Sequence, residues 1–299
     1  MHLGIDIGGT KVAFRTEGAG SRGAASRDSV VRWRPSATPA EDLDVLRAHV
    51  KDLFAGAARP LTGVGVAVPA TLDTEGRVTA WPTRPSWVGL DLAEALRDLF
   101  PGTEVCWADD GDLAAVAEAH AAGHSDLVYV GVGTGIGGGI VLGGRPVPGT
   151  RRGSCELGHL IVDRDGERCD CGRRGCVQAE ASGPATLRRA AAARGTDVTF
   201  EELRSGYTDG ADWAVTAVEH SCAALAAALV GVGELVRPSA TVVGGGFAAG
   251  IEGFVAEVAR QASLLARPGH PVAPVLPARL GGGSSLHGAV LAAKGLPTP

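Results

Sequence analysis

No block of like charge interrupts this 299-residue chain: 28 Lys and Arg stand against 33 Asp and Glu, for a net charge of −5. Without a basic stripe there is no electrostatic footprint for nucleic acid or an anionic membrane, and neither is expected as a partner. Long apolar runs are missing as well. The most apolar stretch, CAALAAALVGVG at 222–233, is shorter than the ~20 residues that cross a bilayer and reads as a buried helix. The opening MHLGIDIGGT lacks the basic start and apolar segment of a secretion signal, which predicts a cytoplasmic location. Cysteine is scarce, six in all. Thiols in that compartment stay reduced, so clustered cysteines point to a metal before a disulfide. The Walker phosphate loop, Gly-x-x-x-x-Gly-Lys-Ser/Thr, is also absent.

Glycine, by contrast, is abundant: 45 residues, about twice the ordinary ~7%. Its placement suggests a reason. LGIDI (3–7) is a short apolar alternation delivered to Gly8-Gly9, and KVAFRTE returns as a second strand. LVYVGVGTGIGGGIVLGG (127–144) repeats that theme, ATVVGGG (240–246) runs into a third glycine turn, and LGGGSSLHGAVLAAKG (280–295) opens a last helix from a fourth. Glycine permits positive φ and close approach of backbone N–H groups to a ligand, most often a phosphate. Each turn alone is equally a tight hairpin; four together point to a nucleotide. Helices are predicted at 42–54 and 89–100 from apolar spacing, at 109–123 from an acidic first turn and a closing glycine, at 184–195 and 213–236 from composition, and at 253–266; strands are predicted at 62–70 and 104–108. The polar stretch 20–40 shows no period. The 299-residue length of the whole chain predicts two domains.

Two clusters carry chemistry. Asp109, Asp110 and Asp112 open a predicted helix, where acids serve equally as N-terminal caps or as reactive carboxylates. CELGHLIVDRDGERCDCGRRGCVQ (155–178) places His159, Cys169, Cys171 and Cys176 together. Three Cys and one His form a closed, structural zinc composition with no position left for an activated water, and a disulfide is the alternative. Cys106 and Cys222, in apolar surroundings, read as buried thiols.

DIGGTK (6–11), ADDGDLAAVAE (108–118), GVGTGIGGGIV (131–141), CELGHLIV (155–162), CDCGRRGC (169–176) and VVGGG (242–246), in this order, resemble the ROK family of repressors and sugar kinases, within the actin–hexokinase–Hsp70 ATPase superfamily. The resemblance spans essentially the whole chain, and its Gly-His-x9-Cys-x-Cys-Gly-x-x-Gly-Cys element is specific. It implies an α/β fold of two actin-like ATPase domains with a cleft between them. The smaller would be 1–112 plus 280–299, the larger 113–279 with the zinc loop 155–178. ATP with Mg²⁺ and a small-molecule sugar or cyclitol would bind in the cleft, and a homodimer or homotetramer is expected. The family's repressors carry a DNA-binding segment ahead of the DIGGT-like motif; here Asp6 stands six residues in, which favours the kinase reading.

By the same resemblance, Asp6 orients Mg²⁺, and Gly8, Gly9, Thr10 and Lys11 face the ATP phosphates. Gly133, Thr134 and Gly135 form a second phosphate turn, and Gly244, Gly245 and Gly246 run along the adenosine. Asp110 is the implied general base for a sugar's primary hydroxyl, ionised with help from the helix N-terminus. Asp109, Glu156 and His159 line the sugar, and His159 shares the structural zinc with the three cysteines. Departures from the family gather on the sugar side. Kinases of common hexoses have Asn at 109, Gly at 155 and Glu at 178, where this chain has Asp109, Cys155 and Gln178. They have Pro-Asn-Leu-Pro where it has Pro82-Thr83-Arg84-Pro85, and Pro-Gly where it has Pro69-Ala70. A glutamine offers one acceptor and two donors in place of two acceptors. Glu180 could replace the missing carboxylate if 178 and 180 share a strand face, but not on a helix. These departures imply an ATP kinase for a modified hexose or a C7 cyclitol; a plain glucokinase and a non-catalytic sugar-sensing regulator are the alternatives.

Overall fold

The computed structural model describes residues 1–18, 26–35, 37–55, 60–149 and 154–295. The strands are β1 (His2–Ile7), β2 (Lys11–Glu17), β3 (Arg27–Arg32), β4 (Gly63–Ala67), β5 (Thr71–Leu72), β6 (Val78–Ala80), β7 (Val105–Ala108), β8 (Leu127–Val132), β9 (Ile136–Leu142), β10 (Arg145–Val147), β11 (Ala240–Gly244) and β12 (Val275–Pro277). The helices are α1 (Pro39–Phe54), α2 (Leu92–Leu99), α3 (Asp110–Ala122), α4 (Val177–Ala181), α5 (Gly183–Arg194), α6 (Phe200–Thr208), α7 (Asp212–Val236), α8 (Gly246–Gly250), α9 (Phe254–Leu264) and α10 (Ser284–Ala293). The chain divides into two compact units. One comprises Met1–Ala117, Arg145–Ser154 and Gly283–Pro299, the other Glu118–Gly144 and Cys155–Gly282.

In the first unit the sheet order is β3-β2-β1-β4-β7. β1 pairs antiparallel with β2 and parallel with β4, and β4 is parallel to β7. β4 reads GVGVA and is buried along its whole length, as a central parallel strand covered on both faces must be. α10 is one of those covers. A Cβ added at Gly63 or Gly65 would overlap the carbonyl oxygens of Ala293 or Ala289. Part of the glycine excess therefore lets a helix lie directly on a sheet, which corrects the reading that turns alone explain it. Leu3, Ile5, Ile7, Val12, Phe14, Val64 and Val66 fill the core with Leu92 and Leu96 of α2. α1 begins with a capping box: the Thr38 hydroxyl accepts from the Glu41 N–H, and the Glu41 carboxylate accepts from the Thr38 N–H, which satisfies two otherwise orphan donors.

The period-free polar stretch contains β3, which pairs antiparallel with β2 from Lys11↔Arg32 to Thr16↔Arg27. It lies at the sheet's edge and carries Arg27, Asp28 and Arg32. Edge strands of this kind resist aggregation by charge and show no apolar alternation to read.

In the second unit β9, β8, β11 and β12 are neighbours in that order. β8 pairs antiparallel with β9 and parallel with β11. Val128, Val130, Val132 and Val243 meet Ala214, Ala217, Val218, Cys222, Leu225 and Leu229 of α7 in one core. α7 spans 25 residues and is long and apolar enough to cross a membrane by length and composition, longer than its most apolar segment suggests. Its Ala214–Val232 stripe is nevertheless buried inside this unit, as expected of a core helix. Cys222 is wholly buried there, whereas Cys106 is only half-buried.

Candidate active site

In the first unit β1 ends at Asp6-Ile7 and turns through Gly8, Gly9 and Thr10 into β2. The Gly8 N–H donates to the Lys11 carbonyl at 2.9 Å and closes the turn. Asp6 Oδ2 accepts from the Ser285 hydroxyl at 2.7 Å. Burial raises the Asp6 pKa; the Ser285 hydrogen bond and the Lys11 charge pull it back. Ser285 escaped the sequence reading. Its only trace there is the fourth glycine turn, which sets Ser284-Ser285 at the start of α10.

β7 ends at Ala108, and Asp109 and Asp110 follow at the head of α3. Asp109 Oδ1 accepts from the Gly111 N–H at 3.0 Å. The expectation that the helix N-terminus keeps Asp110 ionised needs correction. Burial, then the Asp109 and Asp6 charges, push its pKa up to about 7, and the backbone N–H bonds offset only part of that. Like charges beside a desolvated carboxyl outweigh a terminal dipole worth ~0.3–1 kcal/mol at exposed sites. The outcome is a carboxyl poised near neutrality, the property general bases share.

In the second unit the β8–β9 turn holds Gly133, Thr134 and Gly135. The Gly133 N–H donates to the Gly135 carbonyl and the Gly183 N–H to the Gly133 carbonyl, both at 2.9 Å. The turn is thereby tied to the start of α5. β11 ends at Gly244, and Gly245 packs against Val132 at the end of β8, so the third turn lies beside the second. Gln178 belongs to α4, and its Oε1 accepts from the Ile136 N–H at 3.1 Å, reaching the same hairpin. Thr134 and Gln178 line one polar cavity of about 350 Å³ with Arg168, Asp170, Ser182 and Arg188.

Because α4 is helical, Glu180 diverges from Gln178. Its carboxylate accepts from the Glu167 N–H at 2.6 Å, from Arg189 at 3.1 Å and meets His220 Nε2 at 3.1 Å. It braces the loop rather than replacing the carboxylate missing at 178. Cys155 is half-buried with its thiol 3.5 Å from the Gly138 carbonyl, packed on β9. Glu156 is exposed and precedes the short turn Leu157–His159, its main-chain carbonyl accepting from the His159 N–H at 2.9 Å.

His159, Cys169, Cys171 and Cys176 converge, with one donor atom from each lying within 4.8 Å of the others. Cys169 Sγ is 3.7 Å from His159 Nδ1, and Cys171 Sγ is 3.6 Å from Cys176 Sγ. Zinc bonds of ~2.3 Å to sulfur and ~2.0–2.1 Å to nitrogen put tetrahedral ligand atoms about 3.5–3.8 Å apart. The spacing fits a zinc ion and far exceeds the ~2.05 Å of a disulfide; all three thiols are free. Hydrogen bonds from the Arg173 backbone and side chain lower the Cys171 pKa to about 6, while burial pushes Cys176 up to about 12.

The sequence profile of the ROK family matches residues 2–295. The kanosamine kinase of Amycolatopsis mediterranei (strain S699) is 54% identical over 289 residues, covering 97% of this chain and 94% of that protein. Among solved structures, a ROK hexokinase from Thermus thermophilus has a TM-score of 0.86 at 30% identity, covering 98% of this chain and 97% of the other. A ROK glucokinase from Streptomyces griseus, solved with glucose and AMPPNP, has a TM-score of 0.79 at 27% identity, covering 98% and 99%.

Proposed function

The chain belongs to the ROK family as an ATP-dependent sugar kinase, and from that premise we propose that it phosphorylates the primary CH2OH of a modified hexose, specifically an amino-substituted one. The observation that carries this is Asp109. It adds a carboxylate directly beside Asp110 where relatives acting on common hexoses carry a neutral Asn. A protonated amino substituent gains a charge-assisted hydrogen bond there, and a neutral hydroxyl gains less. The 54% identity to a kanosamine kinase supports the same substrate class.

The residues divide the work. The turn Gly8, Gly9, Thr10 and Lys11 holds ATP phosphates through N–H groups, a hydroxyl and an ammonium, and Asp6 orients the Mg²⁺ that accompanies ATP. Gly133, Thr134 and Gly135 give a second phosphate turn, and Gly244, Gly245 and Gly246 flank the adenosine. Asp110 accepts the proton of the sugar's primary hydroxyl as that oxygen attacks the γ-phosphorus and ADP departs. Transfer through a loose transition state asks for alignment and charge neutralisation more than for a strong base. Glu156, His159 and Gln178 contact the sugar. His159, Cys169, Cys171 and Cys176 would hold a zinc ion, which fixes the loop mechanically and has no open position for catalysis. The enzyme works in the cytoplasm as a homo-oligomer.

A coupled ADP-release assay with kanosamine, glucose, N-acetylmannosamine and a C7 cyclitol tests the substrate. The aminohexose should have the highest kcat/KM, and Asp109→Asn should lower its advantage over glucose by about 5–150-fold, the equivalent of 1–3 kcal/mol. Equal or better turnover of glucose by the unaltered enzyme would return the reading to a plain glucokinase.

A further inference from the structure

We propose that Arg84, held by Asp42, is a positioning residue that fixes the phosphate turn from behind. Three successive carbonyls of that turn are tied down. The Trp33 indole N–H donates to the Gly8 carbonyl at 2.7 Å. The Arg84 Nη1–H donates to the Gly9 carbonyl at 3.4 Å. The Trp33 backbone N–H donates to the Thr10 carbonyl at 3.1 Å. The peptides of this turn are trans. In a planar trans peptide, C=O and N–H point in opposite directions. Tying the carbonyls of Gly8, Gly9 and Thr10 to one side therefore sets the N–H groups of Gly9, Thr10 and Lys11 toward the other. Those are the donors a phosphate needs, oriented before it arrives.

Arg84 is itself locked. It is 5% exposed and Asp42 1%. Its Nε–H donates to Asp42 Oδ2 at 2.8 Å, its Nη2 group pairs with the same oxygen, and the Trp87 indole N–H adds a third donor at 2.8 Å. The guanidinium carbon lies 4.7 Å from the centre of the Trp33 ring. Thr83, next in the chain, closes the remaining gap. A Cβ on Gly9 would approach the Thr83 Cβ to 2.7 Å, so only glycine lets the turn rest on this support. Thr83-Arg84 is one of the departures from the family pattern, and its place against the Gly8-Gly9 turn gives that departure a use. A fork is required: a guanidinium reaches Asp42 and Gly9 at once, and an ammonium on a flexible stem does not.

The inference rests on the proposed phosphate role of residues 8–11, and the test separates the two. Arg84→Met with Asp42→Asn removes the ion pair without changing net charge, and leaves a carbonyl to accept from Trp87. AMPPNP binding is measured by calorimetry without sugar, at a temperature where circular dichroism shows the variant folded. A positioning role predicts a dissociation constant raised about tenfold with KM for the sugar held within about twofold; a purely structural role lowers the melting temperature and leaves that constant alone. Should the double variant not fold, Arg84→Lys keeps the charge beside Asp42 and loses the fork, with a rise of about threefold expected. An unchanged constant in whichever variant folds overturns the proposal. Lys11→Met is the control. If it does not weaken AMPPNP, the phosphate reading and this inference fall together; if it does and neither Arg84 variant does, only the inference falls.

Discussion

The β1–β2 turn and the β8–β9 turn occupy equivalent places in two sheets of like order, a hairpin followed by two parallel strands, yet they are held by different means. The first is gripped by the side chains of Trp33 and Arg84, which come from elsewhere in the sequence. The second is tied by main chain, Gly183 N–H to Gly133 carbonyl, and by the Gln178 side chain at Ile136. Their surroundings also differ in charge. Asp6, Asp109 and Asp110 gather in the first unit, whereas Arg168 and Arg188 line the cavity beside the second turn. A repeated backbone has thus been given two chemical surroundings, one acidic, the other of mixed charge, since Glu167 and Asp170 line that cavity with the two arginines.

The sharpest way to test that contrast is Asp110→Asn. It should lower kcat by about 10²–10⁴, the usual contribution of a general base, while AMPPNP binding persists. Retained turnover in rapid-quench assays would remove Asp110 from the chemistry. A pH dependence follows. The base must be ionised, so kcat/KM of the unaltered enzyme should fall as pH drops below about 7. Stability should move the opposite way. A carboxyl whose folded pKa of about 7 lies above its ordinary value of 3.8 destabilises the fold increasingly as pH rises between those values. Asp110→Asn should therefore raise the melting temperature at pH 8 and leave it unchanged at pH 3.5. Removing the metal expected at the Cys/His cluster comes next. Cys176→Ser should abolish stoichiometric zinc by mass spectrometry and lower the melting temperature by about 5 °C or more. Because the loop's anchor at Glu180 belongs to the second unit alone, AMPPNP contacts of the first turn should be spared. The smallest effect is expected of Gln178→Glu. A carboxylate still accepts from the Ile136 N–H, so the change should favour glucose over the aminohexose by about tenfold or less. No shift in that ratio would mark Gln178 as a hairpin support only.

Much of this was legible in the residues, and the limits have physical causes. Apolar alternation announced β1, with β2 as its returning partner, an apolar run announced β8, helical spacing announced α1 and α2, and composition announced α7, because burial leaves its mark in sequence. The zinc loop was legible because its donors lie within eighteen residues. β3 left no signal, since a charged edge strand has no apolar face to alternate. Gly63 and Gly65 were hidden for another reason: the helix they accommodate lies more than 200 residues away. The ion pair of Asp42 and Arg84, 42 positions apart, is invisible to any local pattern, as is the Ser285 hydroxyl on Asp6. The poise of Asp110 was misjudged from its helix position because burial is a tertiary property. Gln178 and Glu180 needed only the knowledge that α4 is a helix for their roles to separate.

Three of the five tryptophans, Trp33, Trp81 and Trp87, stand together behind the first turn, with ring centres 5.1 Å (Trp81–Trp87) and 5.9 Å (Trp33–Trp87) apart. Indole emission responds to hydrogen bonding and to nearby charge. Trp33 donates directly to the Gly8 carbonyl and lies under a guanidinium. The protein therefore carries its own optical label behind the first glycine turn, and ultraviolet fluorescence of the unmodified chain should register movements of that turn in real time, with Trp107 and Trp213 as the other emitters.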